Sequence, residues 1–401
     1  MQRALGGIRV LDLGQFLSAP RCGRILAELG ADVIKVEPAQ GDTMRLLMML
    51  AGADKVLSVV NAGKRGLKLN LKSAGGPELL RKLVAASDVL LENFVPGTME
   101  RLGLGWDDLS RINPRLIYAS ISGFGTTGPR GDRPAFDIIA QATSGIMDAL
   151  EMPDRPPPVF FADLVSGAYA ALGIMAALFA RERSGHGQRI DVSMQDVMYA
   201  HHFRAHTLRA LGDDLERSSR ILGRSIDHLL TDADDPLPFW SSYLASDGFV
   251  AVVALTEGQW ARLMRAVGRE DLVKDPRLSS FVARVRNAAI GVEVLSEWVG
   301  SRTADEVVEV LTAARVPCGK VCSTPAANED PQLAERGMYH TVRHTRLGEI
   351  GVPGPALKMS RTPTTVESPH PDLGQHTEDV LRDLLEASDE DLAGWRKAGA
   401  I

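Results

Sequence analysis

The sequence predicts an α/β protein with a parallel sheet in its first half and a second, smaller unit behind it. Short apolar runs alternate with amphipathic stretches of about ten residues, the pattern of successive βαβ units. The 401 residues exceed one ordinary domain of roughly 100–200 residues, so two or three are expected. Glycine is frequent, at 38, which favours tight loops and close helix–strand approaches.

The elements follow in order. Ile8–Leu13 reads as a strand, Pro20–Leu29 as a helix opened by proline, and Ala31–Val36 as a second strand. Pro77–Ala86 reads as a helix, and Asp88–Leu91 and Arg115–Ser122 as strands. A long helix over 163–183 ends at Ser184-Gly-His-Gly187, followed by a strand at Gln188–Val192 and a helix over Met194–Arg209. Residues 210–237 are polar and irregular and read as a linker. The second unit starts with a strand pair turning at Ser246-Asp-Gly-Phe249, then helices at about 257–267, 284–300 and 303–314. Residues 330–375, rich in Gly, Pro and His, read as an extended return segment. Helix Thr377–Glu386 and a second short helix close the chain.

Charge and cysteine content exclude several function classes. Lys plus Arg total 45 against 51 Asp plus Glu, a formal charge of −6. That opposes general nucleic-acid binding, which requires a basic surface, yet leaves room for an anionic ligand held locally. Cys22, Cys318 and Cys322 form a sparse, odd set that suits a reducing cytoplasmic setting. The N-terminus has no apolar signal region. The longest apolar run, Leu164–Ala180, is short and rich in small residues, so a buried helix is expected rather than a membrane span.

Several motifs are weaker than they look. Gly123-Phe-Gly-Thr-Thr-Gly128 matches a dinucleotide fingerprint, but Pro129-Arg-Gly-Asp-Arg-Pro134 follows where a helix must start. The first βα turn, Gly14–Ala19, lacks the glycine triplet, and Glu37 at a strand end is commonplace. Cys318-x3-Cys322 and His340-x3-His344 lack further ligands, and His201, His202 and His206 fit no zinc motif; no metal site is expected. No G-x-S-x-G elbow is present.

Two features carry more chemistry. Asn61–Lys72 places Lys64, Arg65, Lys68 and Lys72 around a glycine-punctuated turn and strand, and Arg101 could join them in the fold. Such cations suit the phosphates of a nucleotide-like group. Asp163, in Phe160-Phe-Ala-Asp-Leu-Val-Ser-Gly, reads locally as a helix N-cap. A carboxylate there would be held ionised by the helix dipole.

Taken together, the chain resembles a class III CoA-transferase of the CaiB/BaiF family, which includes formyl-CoA transferase and alpha-methylacyl-CoA racemase. The resemblance runs almost end to end. It rests on Ile8-Arg-Val-Leu-Asp12, Gly30–Glu37, Asn61–Lys72, Glu92-Asn-Phe-Val-Pro-Gly97, Asp163, Gly173–Leu178, Ser184–Gln188, Val316-Pro-Cys-Gly319 and Leu373–Leu381. It implies a Rossmann-like large domain (1–209), a linker (210–237), a smaller α+β domain (238–325) and a return linker with a C-terminal segment completing the large domain (326–401). Two chains would interlock as a homodimer.

By this resemblance Asp163 is the catalytic aspartate. Leu69, Asn70, Leu71, Lys72, Asn93, Phe94 and Arg101 fall on positions holding the nucleotide part of coenzyme A. Leu17, Ser18, Phe136 and Asp137 fall near the thioester. Acyl-CoA and a carboxylic acid are the expected partners, with no tightly bound cofactor and no nucleic acid or membrane. An ionised aspartate can attack a thioester to form a mixed anhydride, then an aspartyl-CoA thioester, before a second acid takes the CoA. Departures from the formyl-CoA type are Leu17 for glutamine, Phe136 for tyrosine, Pro38 for a basic residue, and no glycine-rich loop in Asp227–Tyr243. They point away from formate and oxalate, towards a more apolar acyl group. The alternatives are an acyl-CoA racemase and a CoA-binding homologue without turnover. Against the racemase, Phe136 stands where its proton-carrying histidine belongs; its auxiliary glutamate would fall near Thr256 or Glu257, and a one-residue length difference leaves that pairing open. Against the second stands Asp163 itself, which binding alone does not require.

Overall fold

A computed structural model describes residues 3–226, 229 and 235–401. The chain divides into one unit of Met1–His202 with Pro331–Ile401 and another of Phe203–Asp330. The first unit is built on a six-stranded sheet. Its strands are β1 (Arg9–Asp12), β2 (Asp32–Glu37), β3 (Arg65–Lys68), β4 (Val89–Glu92), β5 (Ile117–Ser122) and β6 (Gln188–Ser193). All pairings are parallel, and the order is β3-β2-β1-β4-β5-β6. This is the doubly wound order of Rossmann folds, whose direction of winding reverses between β1 and β4.

Strand alternation fills a separate core on each face. Val10, Val33, Val89, Leu91, Ile117 and Ala119 pack with helices α1 (Ser18–Glu28) and α4 (Phe161–Ser184). Leu11, Ile34, Leu67, Leu90 and Tyr118 pack with α2 (Gly76–Ala85) and the C-terminal helices α6 (Thr377–Leu385) and α7 (Asp389–Lys397). Between these, α3 (Asp137–Thr143) and α5 (Met194–Ala200) flank the start and end of the long helix α4 in sequence.

Pro20 lies in the first turn of α1, where its missing N–H leaves no helical bond unmade. The turn before α1 depends on Gly14, because a Cβ there would sit 2.4 Å from Ala19 Cβ. Helix α4 is long and apolar enough by length and composition to cross a membrane, but its small residues Ala162, Ser166, Gly167, Ala170 and Ala171 are buried within the unit.

The second unit carries an antiparallel sheet of β7 (Trp240–Ala245), β8 (Gly248–Val253) and β9 (Cys318–Lys320). The helices beside it start at capping boxes, Thr256 with Gln259 and Thr303 with Glu306.

Several expectations need correction. The helix expected over Met194–Arg209 is two helices, Met194–Ala200 and Phe203–Leu211, and the unit boundary falls between them. Within 210–237, expected as an irregular linker, Leu215–Leu222 is helical and ends at Gly223 in the left-handed region. The expected contrast with a glycine-rich loop over Asp227–Tyr243 lies partly outside the described residues. The return segment is not simply extended: β10 (Tyr339–His344) and β11 (Gly348–Pro353) form a hairpin. Val342, Ile350 and Val352 of this hairpin pack on Ala62 and Val366.

Candidate active site

In open doubly wound sheets, ligands bind beyond the carboxyl ends of the strands where the winding reverses. Here those ends are Leu13–Phe16 after β1 and Asn93–Phe94 after β4. Two cavities meet at this point, sharing Gln15 and Phe94. The larger, about 420 Å³, is lined by Leu69, Asn70, Leu71, Lys72 and Arg101 among others. The smaller, about 210 Å³, holds Phe16, Ser18, Asn93, Phe136 and Asp163.

Asp163 is not an N-cap. Phe160 takes that position without a side-chain bond, and Asp163 is the third residue of α4. The helix end is satisfied instead by Asp137, whose Oδ1 accepts the Asp163 backbone N–H at 3.1 Å. Asp137 is itself buried, and its Oδ2 accepts from Gln141 Nε2 at 2.6 Å. Burial, and then the nearby Asp137 carboxylate, push the Asp163 carboxyl up to about 7, against a hydrogen bond from Ser18. The group titrates near neutrality, where a carboxylate is a stronger base and nucleophile than an ordinary aspartate.

Asn93 organises the turn opposite. Its Oδ1 accepts the Gln15 backbone N–H at 2.7 Å. Its Nδ2 donates to Gln15 O and to Ser18 Oγ, both at 2.9 Å. Between them Phe16 adopts φ 57°, a left-handed conformation that is uncommon for a bulky residue and collects at functional sites. The Phe16 ring meets Phe136 edge-on, centroids 5.3 Å apart. Together they form an apolar wall beside Asp163.

The cation cluster separates into two groups. Lys72 and Arg101 line the larger cavity and are exposed; among the described residues neither has a carboxylate partner. Lys64 and Arg65 do not join them. Lys64 is fully buried and bonded to Asp12 Oδ2 at 2.7 Å, Asn61 Oδ1 at 2.8 Å and Pro20 O at 2.9 Å. Arg65 is taken by Asp32, at 2.5 Å for the closer contact, and by Asp383 at 3.0 Å. In both cases carboxylates consume the charge that was expected to hold phosphate. Leu17 also lines neither cavity, since it serves as the N-cap residue of α1.

Residues that sequence reasoning passed over are Gln15, Phe16, Lys35 and Asp42. Lys35 pairs with Asp42 at 3.2 Å and bonds Gly14 O beneath the turn. Their signal was available, because the turn after the first strand of a βαβ array is the usual ligand edge, with or without a glycine triplet. In the other unit, Glu257 is gripped by Arg284 through two 2.8 Å bonds.

A family model described as CoA-transferase family III matches residues 5–377. The chain is 36% identical to a formyl-CoA:oxalate CoA-transferase of Streptomyces avermitilis, covering 100% of both chains. It is 34% identical to a succinyl-CoA–D-citramalate CoA-transferase of Chloroflexus aurantiacus, over 98% of this chain and 96% of that one. A solved CaiB/BaiF family protein from Brucella suis superposes with a TM-score of 0.76 at 31% identity, over 96% of this chain and 100% of the other.

Proposed function

This chain belongs to CoA-transferase family III, and from that premise we propose that it moves CoA from an acyl-CoA to a carboxylic acid through Asp163. The observation that carries the reading is the position of Asp163. It stands at the head of α4 in a small cavity that opens beside a larger one edged by Lys72 and Arg101. That spacing suits a ligand with a phosphorylated end and a reactive thioester end.

The steps balance without a further reagent. An Asp163 oxygen attacks the thioester carbonyl, the C–S bond breaks, and CoA leaves as thiolate from a mixed anhydride. The thiolate attacks the Asp163 carbonyl and expels the donor acid as carboxylate. The acceptor carboxylate then attacks this aspartyl-CoA thioester, releasing the thiolate again. Attack of the thiolate on the acceptor carbonyl frees Asp163 and yields the new acyl-CoA. Burial supports the first step by stripping water from the nucleophile. The apolar wall of Phe16 and Phe136 fits an acyl group with more apolar surface than formate or oxalate. By the family resemblance the reading extends to an interlocked homodimer in the cytoplasm.

Asp163→Asn is expected to abolish CoA transfer, with turnover reduced by at least three orders of magnitude, while far-UV circular dichroism is unchanged. Retained transfer would refute the nucleophile assignment. The racemase alternative predicts deuterium uptake at C2 of a 2-methylacyl-CoA in D2O. None is expected, because Phe136 lines the site and a phenyl ring moves no proton.

A further inference from the structure

We propose that Ser18 is the positioning residue that aims the Asp163 carboxylate, through a hydroxyl whose proton is directed by Asn93. This rests on the reading of Asp163 as the nucleophile.

The direction of every bond in the relay follows from backbone groups that have no choice. The Gln15 N–H can only donate and the Gln15 carbonyl can only accept, so the Asn93 amide is oriented by both. Its NH2 must then face Ser18, and Asn93 Nδ2 donates to Ser18 Oγ at 2.9 Å. With its oxygen accepting that bond, the hydroxyl has its own proton free for the carboxylate. Ser18 and Asp163 line the same small cavity, and the nearby hydroxyl favours the charged form of the Asp163 carboxyl.

The approach of the two elements is built in. Gly167 lies one turn after Asp163, and a Cβ there would sit 2.5 Å from Ser18 O. Only glycine lets the start of α1 come this close to the Asp163 end of α4. Ser18 is buried, so bulk water does not replace it as donor. The hydroxyl opposes the two influences that disfavour the charged nucleophile, burial and the Asp137 carboxylate. The other charged groups near this face are Arg133 of the loop before α3, Arg21 of α1 and Glu92 beneath Phe94. None of them is bonded to Asp163 among the described residues.

The test follows adduct formation at Asp163 against pH in wild type, Ser18→Ala and Ser18→Thr, using an acyl-CoA donor that wild type accepts. The Ser18→Ala acid limb should move up by about one pH unit, so that the rate at pH 6 falls about tenfold. Ser18→Thr, which keeps the hydroxyl, should restore the wild-type limb. If Ser18→Ala forms the adduct with an unmoved acid limb and only a raised KM, Ser18 is merely structural and the proposal is overturned. If wild type turns over donor with no adduct at Asp163, the nucleophile reading fails, and this proposal with it.

Discussion

Asp163 gains its character from neighbours that the linear sequence does not show. A carboxylate at the third position of a helix would ordinarily be stabilised as an anion. Here burial and Asp137 outweigh that and bring it to about 7. The sign of the resulting pH dependence is definite. The raised value means that the protonated, non-nucleophilic acid dominates below about pH 7, and that the reactive anion accumulates above it. The kcat/KM for acyl-CoA should therefore rise with pH through an acid limb near 7 and level off above, rather than being flat from pH 5 as for an ordinary aspartate. Glu92 is a second group that burial raises to about 7, and it bonds the Phe94 backbone at 2.8 Å. Glu92→Gln keeps that acceptor and removes the titration. A limb that persists in this variant belongs to Asp163, and one that vanishes contradicts the assignment.

Between elements, the same kind of side chain does opposite things according to where the strand puts it. Lys64 precedes β3, and its ammonium reaches Asp12 at the end of β1, whose other oxygen accepts the Gly14 N–H at 2.8 Å. It ties the end of β1 to the first turn of α1 through Asp12 Oδ2 and Pro20 O. Lys72 lies beyond the other end of β3 and faces the larger cavity. The sequence of Asn61–Lys72 does not separate these roles, since four like charges within nine residues carry no information about which are already paired. Lys64→Met is expected to destabilise the protein by about 3–5 kcal/mol, by leaving Asp12 buried and unpaired, and to lower the urea midpoint accordingly. Lys72→Met should leave that midpoint within experimental scatter and raise the KM for acyl-CoA. The reverse pattern would assign Lys64, not Lys72, to the ligand.

At the scale of the whole molecule, the alternation of strands and helices was legible because each strand is a short apolar run bounded by turn residues. The strand order was not, because nothing in Arg9–Asp12 says that β4 rather than β3 lies on its far side. The site depends on that order: it forms only because the turn after β1 and the turn after β4 are neighbours, which brings Asn93 onto Gln15 and Ser18. The hairpin Tyr339–Pro353 was hidden by its composition, Gly, Pro and His in strands of which only alternate residues are buried. Asp163 itself was found through the family resemblance, since local sequence favoured a cap that the fold assigns to Asp137. The most direct measurement of the role of Asp163 is hydroxylamine trapping during turnover, followed by peptide mass analysis, with succinyl-CoA, formyl-CoA and longer acyl-CoA thioesters as donors. A hydroxamate is expected at Asp163, dependent on the donor and absent from Asp163→Asn. Transfer of CoA with Asp163 unmodified, or a hydroxamate at another carboxylate, would contradict it.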